Sequence, residues 1–252
     1  MRYKLTLIFF ISLNLIFCAS PQKKFEEART KDPQYQYNMG LFFLNQGNVD
    51  EALKHLNRAL NLNPRYDLAL YALGLAHSMN GNFEKSVKYL QNCLKINPTL
   101  SDAHNILGSV YQEMGLIDQA EREFRIALSD KNYKSRDNSY YNLARLCVTK
   151  DKLQEALDYA EKALEINSRM AMAYNLKGVI LERLNNFEGA IESYKKATEI
   201  LEDNVDFNFN LAVAYFKNNE FSKAKEIFEK ISARVTDPEM KMKIDEYLKM
   251  IK

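Results

Sequence analysis

The chain has 252 residues, of which 46% are hydrophobic and 12% aromatic, and this excludes an intrinsically disordered protein. Lys plus Arg number 35 against 33 Asp plus Glu, with no block of five or six basic residues, so binding a phosphate backbone is not its main work and no nucleic-acid partner is expected. Eight Gly and five Pro are few for this length and favour long helices over turn-rich β-structure.

Arg2 and Lys4 precede "LTLIFFISLNLIF", an apolar run at positions 5–17. The run is shorter than the roughly 20 residues that cross a bilayer as a helix. With its positive start it reads as a signal peptide over residues 1–17. Removing it takes Arg2 and Lys4 away and leaves 33 basic residues against 33 acidic ones. Ordinary signal-peptidase cleavage fits poorly. A cut after Ala19 leaves Phe17 at −3, and a cut after Ser20 leaves Pro21 at +1.

"LIFC" instead resembles a bacterial lipobox, with Leu15 at −3, Ile16 at −2 and the Cys18 thiol as the lipidation site. Phe17 departs from the small residue usual at −1. A buried acyl chain contributes about 0.8 kcal/mol per CH₂, and a second chain makes anchoring stable. The resemblance implies a lipoprotein of the bacterial cell envelope, attached to the membrane through its N-terminal lipid. Ala19, where Asp would signal inner-membrane retention, points to the outer membrane with the protein facing the periplasm. Residues 18–32 then read as a polar tether.

From Pro33 onward the sequence repeats. "YNMGLFFLNQGNVDEALKHLNRALNLNP" aligns with "YALGLAHSMNGNFEKSVKYLQNCLKINP". Gly40, Gly74 and Gly108 are spaced by 34 residues, then come Ala144, Gly178 and Ala212, with a single 36-residue step from 108 to 144. Six units follow at 33–66, 67–100, 101–136, 137–170, 171–204 and 205–236. Their eighth position is thus Gly or Ala throughout. Their twentieth is Ala52, Ser86, Ala120, Ala156, Ala190 and Ala224. Their twenty-seventh is Ala59, Cys93, Ala127, Ala163, Ala197 and Ile231. The twenty-fourth is bulky, as Leu56, Leu90, Phe124, Tyr194 and Phe228, except at Ala160.

These registers predict two antiparallel helices per unit, A and B, brought close by small side chains, with large ones filling the gaps. Gly47, Gly81, Gly115, Asp151, Asn185 and Asn219 share the register of the A–B turn, where φ > 0 must be tolerated. Two residues on, Val49, Phe83, Ile117, Leu153, Phe187 and Phe221 pin the entry of helix B. Pro64 and Pro98 stop it. Residues 237–252 carry Met240, Ile244, Tyr247, Leu248 and Ile251 at helical spacing and read as a capping helix.

This pattern resembles the tetratricopeptide repeat over about four-fifths of the chain. The resemblance implies an all-α fold: a right-handed α-solenoid of about six tetratricopeptide helix pairs with a C-terminal capping helix. It also implies that helix A lines the inside and presents positions 2, 5, 9, 12 and 13. Carried over, units 1 and 2 present Tyr37, Leu41, Leu44, Leu68, Tyr71, Leu75 and Met79, a nearly apolar patch. Unit 3 presents Asp102, Asn105, Ser109, Gln112 and Glu113. Tyr141 and Arg145, then Asn175, Glu182 and Arg183, then Phe209, Val213 and Phe216 follow. Apolar patches of this kind mark partner surfaces, so a protein or peptide in the concave groove is expected. The alternative is that the tether or the N-terminal helix covers the patch itself.

Chemistry for catalysis is not visible. His55, His77 and His104 lie in different units, and no zinc-type spacing, HExxH, GxSxG or Gly-rich phosphate loop occurs. No metal or cofactor and no enzymatic activity are expected. His77 and His104 read as packed residues, and Cys93 and Cys147 as buried free thiols. The two cysteines belong to non-adjacent units, which argues against a disulfide.

A lipidated array of six such units resembles the type IV pilus biogenesis and stability lipoproteins (the PilF/PilW group), outer-membrane pilotins that assist secretin assembly. The stretch "ALSDKNYKSRDNSYYNLA", with Asp130, Tyr133, Asn142 and Leu143, is similar to that group's link between units 3 and 4. Two alternatives stand beside it: a generic periplasmic or surface adaptor for another envelope complex, and an accessory to an envelope hydrolase.

Overall fold

A computed structural model describes residues 29–251. The signal segment 1–17, Cys18 and most of the tether lie outside the described residues. Among the described residues there are thirteen α-helices and no strand. None of these helices is long and apolar enough to cross a membrane.

The A helices are α1 (Pro33–Asn45), α3 (Asp67–Met79), α5 (Ser101–Glu113), α7 (Arg136–Thr149), α9 (Ala171–Arg183) and α11 (Val205–Lys217). The B helices are α2 (Val49–Leu62), α4 (Phe83–Ile96), α6 (Ile117–Ser129), α8 (Leu153–Ile166), α10 (Phe187–Ile200) and α12 (Phe221–Ser232). The last helix, α13, spans Pro238–Met250.

The six A–B turns are built alike. Gly47, Gly81 and Gly115 take φ of 72°, 70° and 74°, and Asp151, Asn185 and Asn219 take 57°, 59° and 60°. In the first turn the Gly47 N–H donates to the Leu44 carbonyl at 2.9 Å and the Asn48 N–H to the Phe43 carbonyl at 2.9 Å. These bonds satisfy two carbonyls that the helix end leaves open, and they require the left-handed residue between them. The turn at Asn219 repeats them with the Phe216 and Tyr215 carbonyls.

Within a unit the eighth position meets the twenty-fourth. A Cβ on Gly40 would stand 2.5 Å from Leu56, on Gly74 2.5 Å from Leu90, and on Gly108 2.7 Å from Phe124. Unit 4 carries Ala144 opposite Ala160, both fully buried. Unit 4 thus sets a methyl against a methyl, whereas unit 6 accommodates Phe228 with Ala212, both fully buried, at the same two positions. The twentieth position sits beside them, and Ser86 Oγ donates to the Gly74 carbonyl at 2.7 Å.

The backbone of each A helix comes within 8 Å, Cα to Cα, of the A helix of the next unit, whereas no two B helices approach so closely among the described residues, and Arg125 and Glu155 bridge two of them only through their side chains, at 3.7 Å. A row closer on one side than the other curves toward that side, so the A helices line the concave surface. The far end is closed by α13. Asp237 caps it through the Met240 N–H at 3.0 Å, and Pro238 occupies its first turn. Ile244 is fully buried in one cluster with Ile231 and Phe228. Ile231 is large where the earlier units have a small residue, because a cap and not a further repeat packs there.

Candidate partner-binding groove

The inner face begins with α1 and α3. Tyr37 is half-buried, with its ring 5.4 Å from that of Tyr66. Burial, then the neighbouring Tyr66 and Asp67, raise its pKa. Tyr71 is pushed up to about 12 by burial first and then by the negative charge of Asp102. Both phenols are therefore neutral donors at any physiological pH. Leu41, Leu68 and Leu75 are half-buried beside them, and Met79 is 52% exposed. Leu44 belongs to the core under this face rather than to its surface, at 7% exposure.

Farther along, polar groups stitch the A helices to one another. Asn105 Oδ1 accepts from Ser139 Oγ at 2.9 Å and from Asn142 Nδ2 at 3.3 Å. Asn210 Nδ2 donates to Asn175 Oδ1 at 2.9 Å. Arg145 lies over the Tyr141 ring at 6.0 Å and 3.8 Å from Glu113. Arg183 pairs with Asp151 at 2.7 Å, and Lys217 pairs with Glu182. Arg145 therefore reaches from α7 to Glu113 at the end of α5, with the Tyr141 ring of its own helix beside it.

Phe209 and Phe216 lie under the cap. Their rings stand 6.1 and 5.1 Å from that of Tyr247, which stacks on Phe228 at 5.1 Å. Of the residues carried over to the groove, Tyr37, Leu41, Leu68, Tyr71, Leu75 and Met79 share the inner face of α1 and α3, while the two Phe side chains are apart from them.

Sequence reasoning missed three elements. Tyr133, from the two-residue insertion, is buried, and burial and then Asp102 raise its pKa. Asp102 thus acts on Tyr71 and Tyr133 alike, and the signal for this was an aromatic inside the insertion. The second element closes single units: Asn97 Nδ2 donates to Asp67 and Asn167 Nδ2 to Asp137, each at 2.9 Å. Its signal is the same Asp…Asn separation in units 2 and 4. The third is His104, which the sequence reads only as packed. Its Nδ1 is 2.6 Å from Glu123 Oε2 and its Nε2 is 2.9 Å from the Pro98 carbonyl. A carboxylate and a carbonyl can each accept from the ring, so this geometry favours the protonated imidazole and raises its pKa against the effect of burial. His77 is buried against Tyr89 at 5.3 Å, and Cys93 and Cys147 are buried free thiols. Among the described residues no three His, Cys, Asp or Glu side chains gather as a metal site.

Paired helices that stack into a curved row, small residues at each A–B contact and an apolar inner face define an α-solenoid repeat protein. A family model described as the Tetratricopeptide repeat protein 21 C-terminal ARM domain matches residues 118–245, half of the chain. Models of the TPR repeat and the tetratricopeptide repeat match residues 40–81 and 67–100. The chain belongs to the tetratricopeptide repeat family.

TPR repeat-containing protein MJ1428 of Methanocaldococcus jannaschii is 26% identical over 209 residues, 83% of this chain and 33% of that protein. The chain thus spans about a third of that relative's length. The structure of Pseudomonas aeruginosa PilF is similar with a TM-score of 0.77 and 17% identity, over 87% of this chain and 99% of that one. The structure of PilW, a widely conserved type IV pilus biogenesis factor, is similar with a TM-score of 0.78 and 14% identity, over 84% and 97% of the two chains. These structural likenesses show the fold.

Proposed function

We propose that this chain is a non-enzymatic scaffold whose inner face at α1 and α3 receives an apolar or amphipathic segment of a protein partner. The observation that carries this is the cluster of half-buried Tyr37, Leu41, Leu68, Tyr71 and Leu75 with exposed Met79 on the concave side. Such a face loses water-exposed apolar area when a helix or extended strand lies in it. We infer in addition that Cys18 carries the lipid that holds the array at the bacterial envelope, in the outer membrane facing the periplasm.

Within that setting the partner is a secretin or another component of type IV pilus assembly. Support comes from a fold that matches PilF and PilW over nearly their whole length. A deletion strain tests it: secretin multimers are lost, the wild-type chain restores them, and Tyr71→Glu with Leu75→Glu does not. Persistence of multimers in the deletion strain would exclude the pilus role. A second reading is an adaptor for a different envelope complex or for an envelope hydrolase, since MJ1428, 26% identical to this chain, is named only as a TPR repeat-containing protein. Recovery of a hydrolase with the chain from membranes would select it.

A further inference from the structure

The A helices of the first three units carry charge of one sign. α1 contains no charged residue, and α3 and α5 contain Asp67, Asp102 and Glu113 but no Lys or Arg. The imbalance is local. The whole chain has 35 basic and 33 acidic residues, and the later A helices carry Arg145, Lys177, Arg183 and Lys217. The histidines of α3 and α5 do not compensate on this face, because His77 stacks on Tyr89 of α4 and His104 turns to Glu123 of α6.

Two of the three carboxylates have partners. Glu113 stands 3.8 Å from Arg145, and Asp67 accepts from Asn97 Nδ2 at 2.9 Å. Asp102 is half-buried in the first turn of α5, and no Lys, Arg or His comes within 4 Å of it among the described residues.

Two tyrosines stand beside Asp102 and feel its charge: Tyr71, half-buried on α3, and Tyr133, 8% exposed in the inserted loop. Asp130 pins that loop to the start of α5, accepting from Ser101 Oγ at 3.3 Å and from the Asn132 N–H at 2.9 Å. The Tyr133 hydroxyl is buried and has no hydrogen-bond partner. No Lys or Arg is among the groups that act on either phenol.

A carboxylate without a cation and a phenol oxygen without a donor are thus neighbours at the edge of the apolar inner face. An ammonium or guanidinium group serves both. It carries only donors, it pairs strongly with a carboxylate, and it is attracted to the face of a tyrosine ring.

We propose that the partner segment received by the inner face is basic: one of its Lys or Arg side chains pairs with Asp102 beside Tyr71 and Tyr133, while its apolar residues cover Leu41, Leu68 and Leu75. This rests on the reading of the inner face as the partner site, and it adds the chemistry that the partner must have. A neutral or acidic segment would take Asp102 out of water with no compensating charge, which opposes binding. The face then selects by charge as well as by apolar area.

Selection from random twelve-residue peptides displayed on phage tests this with the full chain in detergent micelles. The expected result is enrichment of peptides that carry Lys or Arg among apolar residues. The most enriched peptide, synthesised with a fluorophore, is then titrated with the wild type and with variants whose Tm shows them folded. Asp102→Asn weakens it about tenfold or more, Asp102→Glu restores most of the affinity, and Leu75→Gln weakens it as well. Raising salt from about 50 mM to about 500 mM weakens the wild type severalfold. Enriched peptides that are apolar without a basic residue would overturn the proposal. So would equal affinity for wild type and Asp102→Asn, or affinity that salt does not change. If Leu75→Gln still weakens binding in those cases, the inner-face site survives and only its charge selection fails. No enriched peptide, or one indifferent to Leu75→Gln, would remove the inner-face site and this proposal together. A concentration-dependent dimer abolished by Asp102→Asn would place a second copy on the face and overturn the proposal too.

Discussion

Gly178 and Tyr194 meet so closely that a Cβ on the glycine would stand 2.5 Å from ring carbon Cε1. The ring is 1% exposed, and its hydroxyl is 3.2 Å from Glu182 Oε2, so it has nowhere to turn. Alanine in place of a helical glycine gains about 1 kcal/mol of propensity. Overpacking a dense core loses about 1–3 kcal/mol. The packing term is the larger, and Gly178→Ala lowers stability to urea by a net amount of up to about 2 kcal/mol. A Gly178→Ala chain as stable as the wild type would show that the ring yields.

Unit 4 shows one arrangement free of such a clash, Ala144 with Ala160. Leu90→Ala in unit 2 leaves a cavity and costs about 2–5 kcal/mol. Gly74→Ala with Leu90→Ala reproduces the pairing of Ala144 with Ala160. The double variant is therefore expected to lose at least 1 kcal/mol less than the sum of the two single losses. Equilibrium unfolding of the four chains measures the coupling, and strict additivity would contradict the contact.

His104 makes stability depend on pH. Burial alone would lower its pKa, but the hydrogen bonds to Glu123 and to the Pro98 carbonyl outweigh burial and hold it above the ordinary value. The group binds its proton more tightly folded than unfolded. Its stabilisation is complete below the unfolded pKa of about 6.5 and fades as pH rises through the higher folded value. Glu123 faces the ring, and Asp130 lines the same depression. His55 and His77 shift the other way, mainly through burial, and weaken the fold as pH falls. The difference in Tm between wild type and His104→Gln isolates the first effect. It is large at pH 5.5–6.5 and shrinks toward pH 8.5. A difference that grows with pH would reverse the sign assigned here.

The cap holds the last aromatic cluster. Tyr247→Ala uncovers Phe209, Phe216 and Phe228 and is expected to cost about 2–3 kcal/mol. Because stability in a stacked array is carried by nearest neighbours, amide exchange accelerates in α11 and α12 and little in α1 and α3. Uniform acceleration along the chain would argue for a fully cooperative unit instead.

Much of the fold was legible because backbone constraints recur. Six turns needing φ > 0 take three Gly, one Asp and two Asn at one register, and no packing knowledge is needed to see them. The helix contact was legible only in part. Small residues at the eighth position announced a close approach, but a single unit does not say which side chain approaches. Ala160 looked irregular until its contact with Ala144 was known. The groove was less legible still. Position in the repeat assigns Phe209 and Phe216 to the inner face, yet whether that face is open depends on where α13 docks, and docking is a tertiary fact. Leu44 likewise shares the groove register while its side chain sinks into the core.

The measurement that bears most directly on the inner-face site is site-specific photo-crosslinking in membranes. A photoreactive residue is placed at Leu75 on the concave side of α3 or at Arg58, exposed on α2. A partner on the inner face gives a discrete adduct from position 75, none from position 58, and none from position 75 once Tyr71→Glu is added. Adducts from position 58 alone, or an adduct at 75 that survives Tyr71→Glu in a folded chain, would contradict the account.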